Sequence, residues 1–380
     1  MTGAQDQERR ARLGLCGLVP MAVPALSKAV EEHGAQDVWH ALCEDGETTT
    51  WGRKARAVDL DELERATAAC GARFLIPGDE EWPPGMAGLA AVEVTKQGGA
   101  PFGLWVRGRL PDLEGAVAMV GSRAASSYGV HITTELAADL AGEDRCIVSG
   151  LAYGIDAAAH RGALGVDGAT VACLAGGVDV PYPAMHTRLA EAVLRRGALI
   201  SEQPPGSRAM KHAFLARNRI IAGAAEGVIV VEAALRSGAR NSAAWALALG
   251  RVLMAVPGPA TSSLSATPHR LIREAQAVLV ASAGDVRELM SPVGSLPEPA
   301  QREPDRPLDM LPIPLRELRE AIAVGEEVDA GQLSQRTGRT MVACLAGAHE
   351  LVERGWLVDG ARGGWCLPAR GDSPRSGTKG

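Results

Sequence analysis

The chain is expected to fold as an α/β protein built on an extended Rossmann-like, doubly wound and mostly parallel sheet. Three observations predict this. Short aliphatic runs recur between Gly115 and Met290, helical segments alternate with them, and the runs are apolar at every position. A strand buried on both faces reads as a continuous apolar run, and strand–helix alternation at this spacing builds βαβ units. The predicted strands are 116–120, 146–149, 170–174, 198–201, 227–231, 252–256 and 277–280. In such sheets ligands bind beyond the carboxyl ends of the strands, so the residues after each run are those to read for function.

Elements on either side follow in chain order. Residues 1–72 carry apolar positions at Leu15, Leu18, Ala22 and Leu26 with breaks at Pro20, Pro24 and Gly34, a small helical module of the helix-hairpin-helix kind. The Pro/Gly-rich stretch from Phe74 to Gly108 is a lead-in with a short strand, and 73–290 is taken as the core domain. Five prolines fall within 291–308, which reads as a linker. Residues 309–368 give helices at 315–323, 330–337 and 341–354, then hairpin segments at 356–359 and 364–367, the order of a winged helix. Its 341–354 helix has no arginine before Arg354, so docking or dimerisation and DNA binding stay open for it. Residues 369–380 are expected to be a disordered tail.

Composition narrows the class. With 380 residues, 46% of them hydrophobic, the chain suits two or three globular domains. The start lacks the apolar core of a signal peptide and no apolar run approaches ~18 residues, so a cytoplasmic location and no membrane contact are expected. Seven scattered cysteines without a C-x-x-C pair fit reduced thiols and predict neither a metal site nor a disulfide framework. Only five lysines accompany 34 arginines and the net charge is −6, so a nucleic-acid surface must be local.

One segment is local in that sense. Lys211-His-Ala-Phe-Leu-Ala-Arg-Asn-Arg219 packs three cations, a histidine and one aromatic into nine residues, and 203–225 contains no carboxylate. Cations hold phosphates and Phe214 offers a face on which any base can stack. The strand exits add donors and small residues. Gly121, Ser122 and Arg123 follow the first strand, and Ser149, Gly150, Gly154 and Asp156 follow the second. Gly177 and Asp179 follow the third, and Glu232, Ser237 and Gly238 the fifth. Asp156 can cap a helix or orient donors, and His160 lies one turn beyond it. No P-loop, H-E-x-x-H or G-x-S-x-G run is present. Many donors with no nucleophile describe a binding groove, with no catalytic residues and no cofactor.

Taken together, Val-Gly-Ser-Arg (120–123), Ser-Gly-x-Ala-x-Gly-Ile-Asp (149–156), Gly-x-Asp-x-x-Tyr-Pro (177–183), Arg-Asn-Arg-Ile-Ile-Ala-Gly (217–223), Arg-Ser-Gly-Ala (236–239) and Ala-Val-Pro-Gly (255–258) resemble the DNA-processing protein A family, DprA or Smf, over residues 74–290. The resemblance implies sequence-independent single-stranded DNA binding, a homodimer, and loading of RecA recombinase during natural transformation, without turnover. It places phosphate contacts on Arg123 and Lys211 and a base contact on Phe214. Gly121, Ser122, Ser149, Gly150, Arg217, Asn218 and Arg219 stand around them, and Gly154, Asp156, Glu232, Ser237 and Gly238 support the groove. Arg217 and Arg219 stay open between DNA contact and bracing by pairing with Asp156 or Glu232. The family pattern differs at Leu215, at His186, and at Leu271-Ile-Arg-Glu-Ala-Gln276, where a glycine is usual at position 275. An alternative is a phosphoribohydrolase-type enzyme on a related core, but its Pro-Gly-Gly-x-Gly-Thr run is missing.

Overall fold

The structure is a computed structural model and describes residues 3–18, 21–235, 237–291, 308 and 311–368. Nearly all of the expected linker and the whole tail lie outside the described residues. Five helices come first: α1 (Gly3–Cys16), α2 (Pro24–His33), α3 (Ala35–Asp45), α4 (Thr50–Arg56) and α5 (Leu60–Ala69). Pro24 opens α2, where its missing N–H costs nothing, and Thr49 and Asp59 cap α4 and α5 through side-chain oxygens.

Strands β1 (Ala72–Leu75), β2 (Glu93–Val94), β3 (Gln97–Gly98) and β4 (Leu104–Gly108) follow, of which β2 and β3 form a separate two-residue ribbon. Next come β5 (Val117–Val120), α6 (Ser127–Gly142), β6 (Ile147–Ser149), α7 (Ile155–Gly165), β7 (Thr170–Cys173), α8 (Thr187–Arg196) and β8 (Ala198–Ser201). The unit closes with α9 (Lys211–Gly223), β9 (Gly227–Val230), α10 (Ala239–Ala248), β10 (Val252–Ala255), α11 (Ala266–Arg273), β11 (Val278–Leu279) and α12 (Ala283–Met290).

Nine strands form one sheet in the order β1-β4-β8-β7-β6-β5-β9-β10-β11. All pairs from β8 to β11 are parallel, while β4 joins β8, and β1 joins β4, antiparallel. The expected lead-in with a short strand is thus a two-strand extension of the sheet. Its prolines and glycines hide this, since they fall between the strands and leave only Leu104–Gly108 with a buried apolar run.

The all-apolar strands sort their side chains by alternation. Ala118, Val120, Val228 and Val230 face a core closed by Ile220, Ile221, Trp245 and Leu271. Val117, Met119, Ile229 and Val231 face one closed by Leu136, Leu140, Ala159 and Val286. A third cluster joins Leu13, Leu15 and Leu18 of the N-terminal helices to Trp105, Leu174 and Leu199. The Trp105 indole N–H donates to Thr67 Oγ1 at 2.8 Å across that junction. The N-terminal helices and the sheet therefore share one compact unit, and the boundary expected at residue 72 is not a break in packing.

A second compact unit contains α13 (Ile313–Glu320), α14 (Ala330–Thr337), α15 (Met341–Glu353) and an antiparallel pair, β12 (Val358–Asp359) and β13 (Trp365–Cys366). Leu315, Leu318, Leu333, Cys344, Leu351 and Trp365 form its core. Asp329 and Gln332 make a capping box and left-handed Gly338 ends the helix they start. Among the described residues no helix is long and apolar enough to cross a membrane.

Candidate nucleic-acid interface

Strand order reverses between β5 and β9. Chain order runs from β5 outward through β6, β7 and β8, and α9 carries it back across to β9. Such a reversal leaves a crevice beyond the strand ends, because the loops diverge on either side of it. A groove of about 400 Å³ occupies this position. Arg123 comes from the β5 exit and Asp156 from the β6 exit. Lys211, Phe214, Arg217 and Asn218 come from α9, and Ser242 from α10.

The start of α9 reaches solvent, with Lys211 and Leu215 exposed and Phe214 half-buried, while residues 216–223 are buried throughout. Met210 precedes the helix without a side-chain cap, and no acid stands in the first turn, so its free N–H groups add positive potential beside Lys211. The Arg123 guanidinium lies 4.7 Å from the centre of the Phe214 ring, a cation–π contact that holds the cation and the aromatic as one surface. Neither Arg123 nor Lys211 has an ion-pair partner among the described residues, in contrast to Arg9, Arg10, Arg73, Arg196 and Arg287, each of which has at least one.

One turn further on, helical periodicity points the cations inward. Arg217 is buried and donates from Nη1 to the carbonyl of Cys173 at 2.9 Å. Burial pulls its pKa down, opposed by the attraction of Asp156. Asp156 is buried in turn; burial raises its pKa, while Arg217 and the backbone N–H groups of Ala152 and Gly150 oppose the rise. This carboxylate orients the β6 exit rather than capping α7, whose N-cap is Gly154. Arg219 is only 1% exposed, and its Nη2 donates to both oxygens of Glu202 at 2.6 Å. The pairing of Arg219 expected with Asp156 or Glu232 is thereby corrected to Glu202, brought under α9 by the end of β8.

Two glycines have a steric reason. A Cβ at Gly150 would lie 1.6 Å from Arg217 Nη1, and one at Gly154, whose φ is +73°, would lie 2.1 Å from the Ser122 carbonyl. Gly121 and Ser122 make the half-buried β5 exit, where the Ser122 N–H donates to the Glu232 carbonyl at 2.6 Å. The Glu232 carboxylate accepts from the Ser126 N–H and hydroxyl, tying β9 to the start of α6. Ser237 caps the turn into α10 by accepting from the Ala239 N–H at 3.1 Å, with Gly238 at the groove edge. Asn218 donates to the Asn241 side chain at 3.1 Å, joining α9 to α10.

The structure thus brings Arg123, Lys211, Phe214, Arg217, Asn218, Asp156 and Gly238 to one groove. It sets Ser149 and Arg219 beneath it; the Ser149 hydroxyl turns inward to the Met119 carbonyl at 2.7 Å. Sequence reasoning missed the wall that Leu215 and Ile221 supply, since such residues give no chemical signal.

His160 is fully buried and hydrogen-bonds to Thr170 rather than to Asp156. Thr170 spends its proton on the Ile147 carbonyl, so His160 Nδ1 is the donor and Nε2 is left without a partner. Burial pushes its pKa from near 6.5 to about 3. The unfolded chain takes up a proton near pH 6.5 that the folded chain refuses until about pH 3. Stability from this group is therefore full above pH 6.5 and falls by up to about 1.4 kcal/mol per pH unit below it. His160→Gln should flatten the fall in urea midpoint between pH 6.5 and 4.5; an unchanged slope would assign the acid sensitivity elsewhere.

Residues 73–291 match the family described as DNA recombination-mediator protein A. The chain belongs to this family. Relatives of this recombination-mediator chain include the DprA assigned in Mycobacterium tuberculosis, 44% identical with 80% of each chain covered. Protein Smf of Escherichia coli is 38% identical with 75% of each covered. The X-ray structure of DNA processing protein A from Streptococcus pneumoniae superposes with a TM-score of 0.60 at 32% identity, covering 73% of this chain and 95% of that one. Two departures from the family pattern now have a physical account. His186 is buried and its Nδ1 bonds the carbonyl of Leu151, which holds a left-handed turn at φ +58°. Ala275 adopts φ +53° just after α11, the conformation for which glycine is usual there.

Proposed function

We propose that this recombination mediator binds single-stranded DNA, without sequence preference and without turnover, in the groove at the β5/β9 reversal. The observation that carries the reading is the exposed couple of Arg123 and Lys211, without ion-pair partners among the described residues, lining one groove with Phe214 in a chain of net charge −6, where the lining carboxylate, Asp156, is buried. Phosphates meet the two cations and the α9 N-terminus, and a base meets the ring. Arg217 and Asn218 form the floor, and Gly121, Ser122, Ser149, Gly150 and Arg219 fix its shape. The groove lies beyond β-strand ends with no base-reading helix, which suits contact with backbone and ring faces rather than with base edges. In this reading the protein acts in the cytoplasm as a homodimer that hands its strand to RecA, and residues 309–368 are a winged helix.

Fluorescence anisotropy of labelled oligo-dT and of a matching duplex, at two salt concentrations, tests it. The parent is expected to prefer the single strand and to weaken steeply with salt, and Lys211→Glu/Phe214→Ala to lose the preference. Equal binding of both nucleic acids by parent and variant would remove the function from this groove.

A further inference from the structure

The chain has only three tyrosines, and all of them are exposed. Two fall on the loops that leave the strands next to the groove. Tyr153 follows β6 and is 45% exposed, and Tyr182 follows β7 and is 50% exposed. Phe214 stands on α9, in the groove beneath Arg123, so the loops after the adjacent strands β7 and β6 each add an exposed ring on one side of it. Phe74 and Phe102, by contrast, are buried in the core that joins the N-terminal helices to the sheet.

The rings are held in place by contacts. Tyr182 meets Phe214 edge to face, with ring centres 5.5 Å apart at 63°. Tyr153 meets His186 in the same manner at 4.9 Å and 64°, and His186 is itself buried and bonded to the Leu151 carbonyl. A ring buttressed on one side and open on the other forfeits little freedom when a planar group settles on it. Neighbouring strands lie roughly 4.8 Å apart, so the β7 and β6 exits set the two tyrosines at a spacing that suits neighbouring nucleotides.

We propose that Tyr182 and Tyr153 extend the stacking surface of Phe214, so that a single strand anchored at Arg123 and Lys211 lays successive bases from the groove over the β7 and β6 exits. The inference rests on the proposed groove function and adds the direction in which the strand leaves it. Exposed tyrosines also suit a protein partner, but that role would not depend on the bases of the strand.

The experiment compares oligo-dT with an abasic strand of the same length and phosphate count, by anisotropy, for four proteins: the parent, Tyr153→Ala/Tyr182→Ala, Tyr153→Phe/Tyr182→Phe, and Lys211→Glu. The alanine pair should bind oligo-dT roughly 5- to 100-fold more weakly per ring removed. Its affinity for the abasic strand and its salt slope should match the parent, and the phenylalanine pair should restore the affinity for oligo-dT. Lys211→Glu should weaken both strands alike. If Lys211→Glu behaves so but the alanine pair binds oligo-dT like the parent, or loses both strands equally, the stacking row is overturned and the groove stands. If Lys211→Glu changes neither strand, the groove itself fails and the row with it.

Discussion

Reversing both free cations, Arg123→Glu with Lys211→Glu, is expected to weaken oligo-dT binding by on the order of 100-fold or more while the protein stays folded. Both side chains are exposed and neither has an ion-pair partner among the described residues, so the fold gives up the contact of Arg123 with Phe214 and a minor attraction to the buried Asp156. The strand, in contrast, exchanges two attractions for two repulsions, and like charges brought together cost several kcal/mol. Two fewer phosphate contacts should make the slope of log K against log salt shallower by about 1.4. Circular dichroism and the thermal midpoint should match the parent. Retained affinity in a folded double variant would refute the groove assignment.

The opposite outcome is expected at Glu202→Ala. Arg219 is a buried cation. Glu202, itself 7% exposed, is its one ion-pair partner among the described residues, and Arg219 Nε and Nη1 already lack hydrogen-bond partners. Removing one member of a buried pair leaves the other uncompensated, which costs about 3–5 kcal/mol, a large part of the ~5–15 kcal/mol by which a domain is stable. The urea midpoint should drop accordingly. A second change, Arg219→Met on top of Glu202→Leu, should recover much of the loss, because an apolar pair of similar volume has no charge to desolvate. An unchanged midpoint in the single variant would mean that water reaches the pair.

These two predictions mark what could and could not be read from the chain. The parallel sheet was legible because its strands are apolar at every position, and β5 to β10 fall within one residue of the runs 116–120 to 252–256. Of the antiparallel strands only one was expected, a short strand within 74–108, and the pairing of β1 with β4 was not, since pairing over 30 residues of sequence leaves no local pattern. At the groove, residue types named the chemistry but not the direction of each side chain. Lys211 and Arg219 differ by eight positions and look equivalent in a charge count. Only the packing of α9 against the sheet decides that one meets solvent and the other meets Glu202. The same holds for Ser149, a polar strand-exit residue whose hydroxyl is used up by Met119.

The division of α9 separates two selective pressures that a single cationic segment would otherwise combine. Lys211 is exposed and has no ion-pair partner among the described residues, so in the proposed function its exchange for another residue alters how tightly a strand is held without altering whether the protein survives. Arg219 has the reverse property, buried out of a ligand's reach and tied to the scaffold through Glu202. A lineage can therefore raise or lower affinity through the first turn of one helix while the turns after it keep the groove in shape.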